Sequence, residues 1–358
     1  WDNRLYLDFT YYKTDSRNQI LKLATTAASG YTSQVRNAGH IRNRGYEIQL
    51  GAVPIQTSKG FRWNLDLNYG ANSSKVVKLD DEGLITSYQL YSSGIQILAS
   101  VGEAYGTLFG TSYVRDANGN VVVDANGLPK ISTTNKTLGK FTPDWTGGIS
   151  NTFSYRSLSL SFLIDASVGG SIFSNTNKTG KYTGVLANTL SGRDAEHGGL
   201  WYYTDAMGNN VRLSESPSYS VSSDGLYYAQ VNGQSTRVYQ DGIMVEGVTE
   251  SGSKNEEVVS AEKYYHRIYS IAEANVYDAS YVKLREVALS YRLPRLWTQK
   301  LHLQEASVTL TGRNLWTIYK SVPNIDPESA LTTGNAQGVE AYSLPTTRSF
   351  GVNLSVKF

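Results

Sequence analysis

The stretch VRDANGNVVVDANGLPK contains the residue types of a calcium-binding loop. Asp116, Asn118 and Asn120 occupy the first, third and fifth positions, where such a loop places oxygen ligands. The sixth position is Val121 where the loop needs glycine, and the twelfth is Gly127 where it needs glutamate. Because an Asn-Gly pair between β-rich residues is typical of a hairpin, we interpret this stretch as a turn.

Metal chemistry has little other support in the sequence. The loop RDAEHGG brings Asp194, Glu196 and His197 together, and a polar cluster that bonds its own backbone is favoured over a metal site. There is no cysteine, which excludes disulfides and thiolate metal sites. We expect no metal and no cofactor. No two of the four histidines have the spacing of metal ligands: His40, His197, His266 and His302.

Catalytic and nucleic-acid-binding motifs are also missing. The sequence has no nucleophile elbow, phosphate loop or zinc-hydrolase helix, so we do not predict an enzyme. The net charge is +2 and the basic residues are scattered, so we predict no nucleic-acid partner.

Aromatic doublets in Gly- and Ser-rich segments are the remaining candidates for binding. Exposed aromatic faces can stack on sugar rings or clamp peptide side chains, but the same rings could pack a long loop against itself. Both interpretations stay open. The candidate substrate-binding residues are Trp201, Tyr202, Tyr203, Tyr227, Tyr228, Tyr264 and Tyr265.

The elements that would position these residues are strands. Apolar and polar residues alternate with period two in RLYLDFTYYK, GYEIQLGAV, FRWNLDLNY, GGISNTFSY, LSLSFLIDA and ASVTLTGRN, whereas clear amphipathic helices are hard to find. No run of about 18 apolar residues is present, which excludes a transmembrane helix, but a barrel strand needs only about 10 alternating residues. In YVKLREVALSYRLP the alternation breaks, which predicts a bulge or a rim position near residue 285.

Two observations favour a membrane barrel over a soluble β-sandwich. The polar faces carry residues that a water-filled lumen would solvate, and these candidate lumen-facing residues are Arg62, Asn64, Asp66, Asp165 and Arg313. Aromatic residues also gather at strand ends, as in the girdles of outer-membrane barrels: Trp1, Tyr11, Tyr12, Tyr69, Tyr155, Tyr291, Trp297, Trp316 and Tyr319.

The connections between strands have two lengths. SYRSL and AVPIQTSKGF make short links, whereas residues 170–277 form one long interruption in which Asn-Gly and Gly-Asn pairs predict hairpins. Short turns on one side and long loops on the other are typical of outer-membrane barrels, so we expect residues 170–277 to be an extracellular loop region.

Several segments, in order, resemble the SusC/RagA-like family of TonB-linked outer-membrane transporters. They are NAGHIRNRGYEIQLGAVPIQTSKGFRWNLDLNY, GKFTPDWTGGISNTFSYRSLSLSFLIDASVGGSIFSNT, YDASYVKLREVALSYRLP, VTLTGRNLWTIYK and TRSFGVNLSVKF. The resemblance implies an all-β transmembrane antiparallel barrel, with residues 1–358 as the C-terminal part of a plugged barrel of 22 strands. The plug domain and the TonB box are expected outside this chain.

The resemblance also implies a function and partners. Family members import oligosaccharides or peptides with a SusD-like surface lipoprotein as a lid, and TonB supplies the energy. We therefore expect a bacterial outer-membrane importer surrounded by lipid. A surface barrel or adhesin that binds ligand without transport is the alternative, and a secreted β-sandwich hydrolase is a third possibility.

The last ten residues, SFGVNLSVKF, alternate cleanly. Because neighbouring residues of a strand point to opposite faces, we expect the apolar side chains to meet lipid. The terminal aromatic residue resembles the signal by which the barrel-assembly machinery recognises its clients. These residues are Phe350, Val352, Leu354, Val356 and Phe358.

Overall fold

The computed structural model describes residues 4–24, 33–300 and 302–358. Trp1, one of the aromatic residues expected in a girdle, lies outside the described residues.

Three long strands come first along the chain: β1 (Leu5–Ala24), β2 (Ser33–Gln56) and β3 (Phe61–Lys78). A first insertion, residues 79–144, contains β4 (Ser87–Ser92), β5 (Gln96–Ser100), β6 (Tyr105–Gly110) and β7 (Lys136–Lys140).

Two strands joined by a two-residue turn follow, and a second insertion begins after them. The strands are β8 (Trp145–Tyr155) and β9 (Leu158–Val168). The second insertion, residues 169–280, contains β10 (Ser171–Ser174), α1 (Asn175–Thr183), β11 (Leu200–Thr204), β12 (Asn210–Arg212), β13 (Tyr219–Val221), β14 (Tyr227–Val231), β15 (Gln234–Met244), β16 (Val258–Ser260), α2 (Ala261–Tyr269) and β17 (Val276–Asp278).

The last part of the chain returns to long strands. It contains β18 (Tyr281–Arg292), α3 (Arg295–Lys300), β19 (Glu305–Lys320), a third insertion at residues 321–348 with β20 (Val339–Glu340), and β21 (Ser349–Lys357). No helix of the described chain is both long enough and apolar enough to cross a membrane.

Eight of the strands form one antiparallel sheet, which we call the wall. Its order is β1-β2-β3-β8-β9-β18-β19-β21, so each wall strand pairs with the wall strands before and after it in the chain. Because direction alternates, the turns at 57–60 and 156–157 and the link at 293–304 lie at one edge, the turn edge. The three insertions leave the opposite edge, the insertion edge. The predicted asymmetry of short and long connections is confirmed.

The register gives the wall one apolar and one polar face. One row of partners crosses six strands with Trp63, Phe153, Leu160, Leu289, Leu310 and Val352. The next row, one residue along, reads Arg62, Ser154, Ser159, Ser290, Thr309 and Asn353. Since neighbours along a strand point to opposite faces, the alternation seen in each strand becomes continuous across the sheet.

The insertions are built on a common hydrophobic core. Ile97 and Leu108 of the first insertion, Phe173 of the second and Val339 of the third lie in one cluster and are each 0% exposed. Burial of a phenylalanine side chain contributes about 2–3 kcal/mol. The three insertions therefore stabilise one another rather than standing as separate loops.

Local turn chemistry follows the sequence closely. Asn232 and Gly233 have φ of 50° and 80° and join β14 to β15, as an Asn-Gly hairpin turn requires. β11 and β12 form the other predicted hairpin. The predicted bulge is confirmed, because the pairing of β18 shifts between Leu284 and Glu286.

No helix was predicted from the sequence, and the structure contradicts this because it contains α1, α2 and α3. Helix α1 buries Asn177, Gly180 and Lys181, so its inward face is polar and leaves no apolar periodicity. Helix α2 is only nine residues long and buries just Ala261 and Ile268. Helix α2 does carry a short apolar stripe, Ala261, Tyr264, Tyr265 and Ile268, but its nine residues are fewer than the window over which such a stripe identifies a helix.

Candidate functional site

A cleft of about 710 Å³ lies between the first and second insertions. Tyr113 of the first insertion and Lys181, Glu246, Tyr264 and Tyr265 of the second are among its lining residues. Two of the seven candidate aromatic residues are thus brought to one concave surface, which is where a small ligand is usually held.

Helix α2 positions the two cleft tyrosines. The Ser260 hydroxyl accepts a hydrogen bond from the backbone N–H of Lys263 at 3.3 Å and caps the helix. The Tyr265 hydroxyl lies 3.1 and 3.0 Å from the carbonyl oxygens of Asn188 and Ser191. Tyr264 meets the Tyr265 ring at 5.2 Å and 69°. Burial raises the pKa of Tyr264, so its hydroxyl stays a neutral donor.

Lys181 is a buried cation at the cleft, with only 7% of its surface exposed. Its ammonium donates to the carbonyl oxygen of Ala274 at 2.7 Å and to Oδ1 of Asn275 at 3.2 Å. The Tyr277 ring centroid lies 5.2 Å from it. Within the described part of the chain no carboxylate forms an ion pair with it, and burial lowers its pKa to about 8.

The other candidate aromatic residues lie in the sheet of the second insertion. Trp201 is 7% exposed and meets the Tyr227 ring at 5.8 Å and 86°, in a cluster against which Tyr203 also packs. Tyr202 is 4% exposed and stacks on Tyr239 at 5.0 Å.

The Tyr202 hydroxyl also donates to Oδ1 of Asp241 at 3.2 Å, and Tyr228 lies opposite Ser220 and Arg237. These positions give Trp201, Tyr202, Tyr203 and Tyr227 a packing role. Their contact with substrate stays a prediction.

The five candidate lumen residues all fall on the polar face by register. Arg62 donates to Oδ1 of Asn64 at 2.8 Å, and Arg313 donates to Glu286 at 2.8 Å. Asp66 lies opposite Gly51 and Ser150. Most of these side chains thus bind their neighbours on the wall.

Asp165, the fifth of these residues, belongs to an ion network that the sequence did not reveal. Arg285 at the bulge donates to both Asp165 oxygens, at 2.9 and 2.8 Å, and to Glu328. Lys283, 3% exposed, donates to Asp326 at 2.7 Å. The break in alternation at Lys283 and Arg285 was the available signal. The network fastens the third insertion to the insertion edge of the wall.

The apolar residues of the last strand are exposed on the wall. Phe350, Val352, Leu354 and Phe358 are 79%, 74%, 63% and 84% exposed, and Val356 is 36% exposed. Contact of these side chains with lipid, and the reading of Phe358 by an assembly machinery, stay predictions.

The hairpin turn predicted for the stretch that resembles a calcium loop is confirmed. Arg115 and Val121 pair across it, and Oδ1 of Asp116 accepts the backbone N–H groups of Asn118 and Asn120 at 2.9 and 2.8 Å. His197 Nδ1 lies 2.7 Å from Asp194, within their own loop. Among the described residues no three His, Asp or Glu side chains are grouped so as to hold a metal ion.

Two curated proteins of one bacterium are similar to the chain over its whole length. TonB-dependent receptor P3 of Formosa agariphila is 26% identical over 387 residues, covering 100% of this chain and 33% of its own length. TonB-dependent receptor P26 of the same organism is 24% identical over 386 residues, again covering 100% of this chain and 33% of its own length. The chain is related to the TonB-dependent receptors. It spans about a third of the length of these curated relatives.

Solved structures of transporters share the fold of this chain. The RagAB peptide importer in its closed-closed state matches with a TM-score of 0.62 and 18% identity, over 100% of this chain and 34% of that one. Its open-open state gives 0.61 and 17%, over 100% and 33%. No protein-family model matches the chain. The predicted localisation is confirmed, because TonB-dependent receptors are proteins of the bacterial outer membrane.

Proposed function

We propose that the chain forms part of the wall and the outer loops of a TonB-dependent outer-membrane importer. The observation that carries this is the wall itself, since one face is apolar, the other is polar, and all three insertions leave the same edge. A sheet of this kind separates lipid from a hydrated lumen. The insertion edge would face the outside of the cell, where residues 170–277 would meet substrate.

The substrate class is an oligosaccharide or a peptide, held first at the cleft. Aromatic faces at Tyr264 and Tyr265 offer contact area to either class. A SusD-like lipoprotein would close over the insertions and TonB would supply energy through parts of the protein beyond this chain. The names of the relatives and the RagAB-like fold support this arrangement.

Uptake by the parent bacterium tests the function. Deletion of the gene should abolish accumulation of labelled oligosaccharide or peptide, and the full-length gene should restore it. With TonB inactivated, cells should still bind the label at the surface but not accumulate it. If cells with active TonB and cells with inactivated TonB bind the label equally at the surface and neither accumulates it, the protein is an adhesin rather than an importer.

A cleft variant tests where the substrate is held. Tyr264→Ala should raise the KM for uptake roughly fivefold, because an aromatic contact contributes about 1 kcal/mol. Met207→Ala is the control, since Met207 is 84% exposed at a turn and does not line the cleft. Equal KM values in the two variants would remove the cleft, but not the importer, from the proposal.

A further inference from the structure

Four basic side chains gather on the apolar face of the wall near the insertion edge, and we call them the basic patch: Lys13, Arg42, Arg44 and Lys75. In β1, Lys13 follows Tyr11 by two residues, and in β2, Arg44 precedes Tyr46 by two, so each shares a face with its tyrosine. Lys13 lies directly opposite Arg44, and Arg42 directly opposite Lys75.

Like charges that face each other across strands destabilise a sheet, so this arrangement calls for a counter-charge. Asp15 supplies one. It accepts from Nε2 of His40 at 2.5 Å and from Nε of Arg42 at 2.8 Å. In the described part of the protein, none of the ion pairs includes Lys13, Arg44 or Lys75. Three cations are therefore left without an acidic partner there.

The patch is concave as well as charged. A recess of about 510 Å³ is lined by Arg42, Arg44, Ser73 and Lys75. Val101 of the first insertion also lines it and is 41% exposed, so the recess has an apolar side. Guanidinium, ammonium and hydroxyl donors in one recess suit the oxygens of a phosphate group, and the apolar side suits a hydrocarbon neighbour.

The height of the patch on the wall matches a lipid headgroup. Tyr11 and Tyr46 are in contact at 5.3 Å, and Tyr69 and Trp145 at 5.7 Å, which forms an aromatic row of the kind that lies at headgroup level. At about 3.3 Å per residue and a tilt of about 40°, two residues rise roughly 5 Å. That places the charges of Lys13 and Arg44 in the headgroup layer, which extends about 5–8 Å beyond the hydrocarbon.

We propose that the basic patch binds the phosphate groups of lipid headgroups in the adjoining membrane leaflet. The proposal rests on the placement of the apolar face in the membrane, and it does not depend on transport. The lipid phosphate neutralises the opposed cations, the long arginine and lysine stems lie along the aromatic row, and the first insertion is held against the membrane surface.

Lipid retention by the purified full-length protein tests the proposal. The triple variant Lys13→Gln, Arg44→Gln, Lys75→Gln is compared with Arg212→Gln, Lys254→Gln, Lys263→Gln, which removes three exposed charges from the second insertion. Each protein is titrated with bisphosphorylated lipid A in detergent, with enzymatically dephosphorylated lipid A, and with inorganic phosphate alone. Bound lipid is counted by native mass spectrometry.

Wild type and the control variant should bind lipid A and discriminate against its dephosphorylated form. The triple variant should bind about a hundredfold more weakly, because each basic residue contributes roughly a factor of five at an anionic surface. Its melting temperature should not fall, since opposed like charges are removed. If it does fold poorly, the single Lys75→Gln variant should still show a roughly fivefold loss.

Three outcomes would overturn the proposal. One is equal binding of phosphorylated and dephosphorylated lipid. Another is saturation by inorganic phosphate with the affinity measured for lipid A, which would make the patch a site for a free anion. The third is unchanged lipid binding in the triple variant, and loss of a co-purifying protein from that variant would then make the patch a protein interface.

Discussion

Lys181 shows at the residue scale what a buried charge costs. Its ammonium is satisfied by the Ala274 carbonyl and the Asn275 amide oxygen, but in the described part of the chain no carboxylate faces it within ion-pair distance. Burial without a counter-charge disfavours the charged form, so the pKa of Lys181 falls from 10.5 to about 8.

The pH dependence of stability follows from that direction. Below pH 8 the lysine is protonated in both states and the folded protein carries the full cost of the buried charge. Between about pH 8 and 10.5 the unfolded state binds more protons, so the free energy of unfolding should rise by about 3 kcal/mol. Chemical denaturation of the full-length protein in detergent across this range measures the rise.

Two variants isolate the contribution of Lys181 from other groups that titrate at high pH. Lys181→Met should remove the rise of about 3 kcal/mol from the pH profile, whatever it does to stability at neutral pH. Lys263→Met, at an exposed lysine of α2, should leave the profile as in wild type. A profile that keeps the same slope in Lys181→Met would refute the assignment.

The third insertion shows at the element scale how a loop is fastened to a strand. Lys283 and Asp326 have side chains only 3% and 7% exposed and are joined at 2.7 Å. Removing one partner of a buried ion pair leaves the other as an uncompensated buried charge and lowers stability. Replacing both partners by apolar residues often leaves stability unchanged. Because Glu328 also binds Lys283, loss of Asp326 should cost about 2 kcal/mol rather than the full amount.

Limited proteolysis of the full-length protein measures that cost locally. Asp326→Leu should raise the cleavage rate within residues 321–348 roughly thirtyfold, the equivalent of about 2 kcal/mol in the opening equilibrium. The double variant Lys283→Met, Asp326→Leu should return most of the way to wild type. Glu250→Leu, which breaks the exposed pair with Lys130, should change little. Equal rates in the single and double variants would contradict this account.

Elements were predictable where the pattern lay in neighbouring residues. Alternation indicated the strands of the wall, and Asn232-Gly233 indicated a hairpin. Helix α1 was missed because it buries Asn177 and Lys181, which carry no apolar signal. The break at Arg285 predicted the bulge but not its partner Asp165, which is 120 residues away in the chain. Sequence spacing cannot reveal such a distant pair.

The same limit applies to the candidate site. Seven aromatic residues were chosen by type, yet Trp201 and Tyr202 are 7% and 4% exposed inside a sheet while Tyr264 and Tyr265 line the cleft. Composition shows that rings are present, and only the strand pairing of the second insertion decides which of them stay accessible. The cleft depends on both insertions, so no single segment contains it.

At the scale of the whole molecule, the chain separates two tasks by position. The wall carries short links at the turn edge and continuous apolar and polar faces, while the three insertions share one core at the other edge. A change at the cleft can therefore leave the wall intact. A change in the wall should instead affect how much protein reaches the membrane.

Adjacent residues of β19 allow the two faces of the wall to be tested with one substitution. Leu310 is 51% exposed in the apolar row, opposite Leu289 and Val352, whereas Thr311 lies on the polar face opposite Ala288 and Gly351. Leu310→Arg should cost about 2–4 kcal/mol and lower the outer-membrane level of the full-length protein, because it puts a charge into hydrocarbon. Thr311→Arg should leave that level close to wild type, since a lumen solvates the charge. Quantitative blotting of outer-membrane fractions gives the comparison. Equal losses in both variants would mean that neither face is hydrated, and equal tolerance would mean that neither face meets lipid.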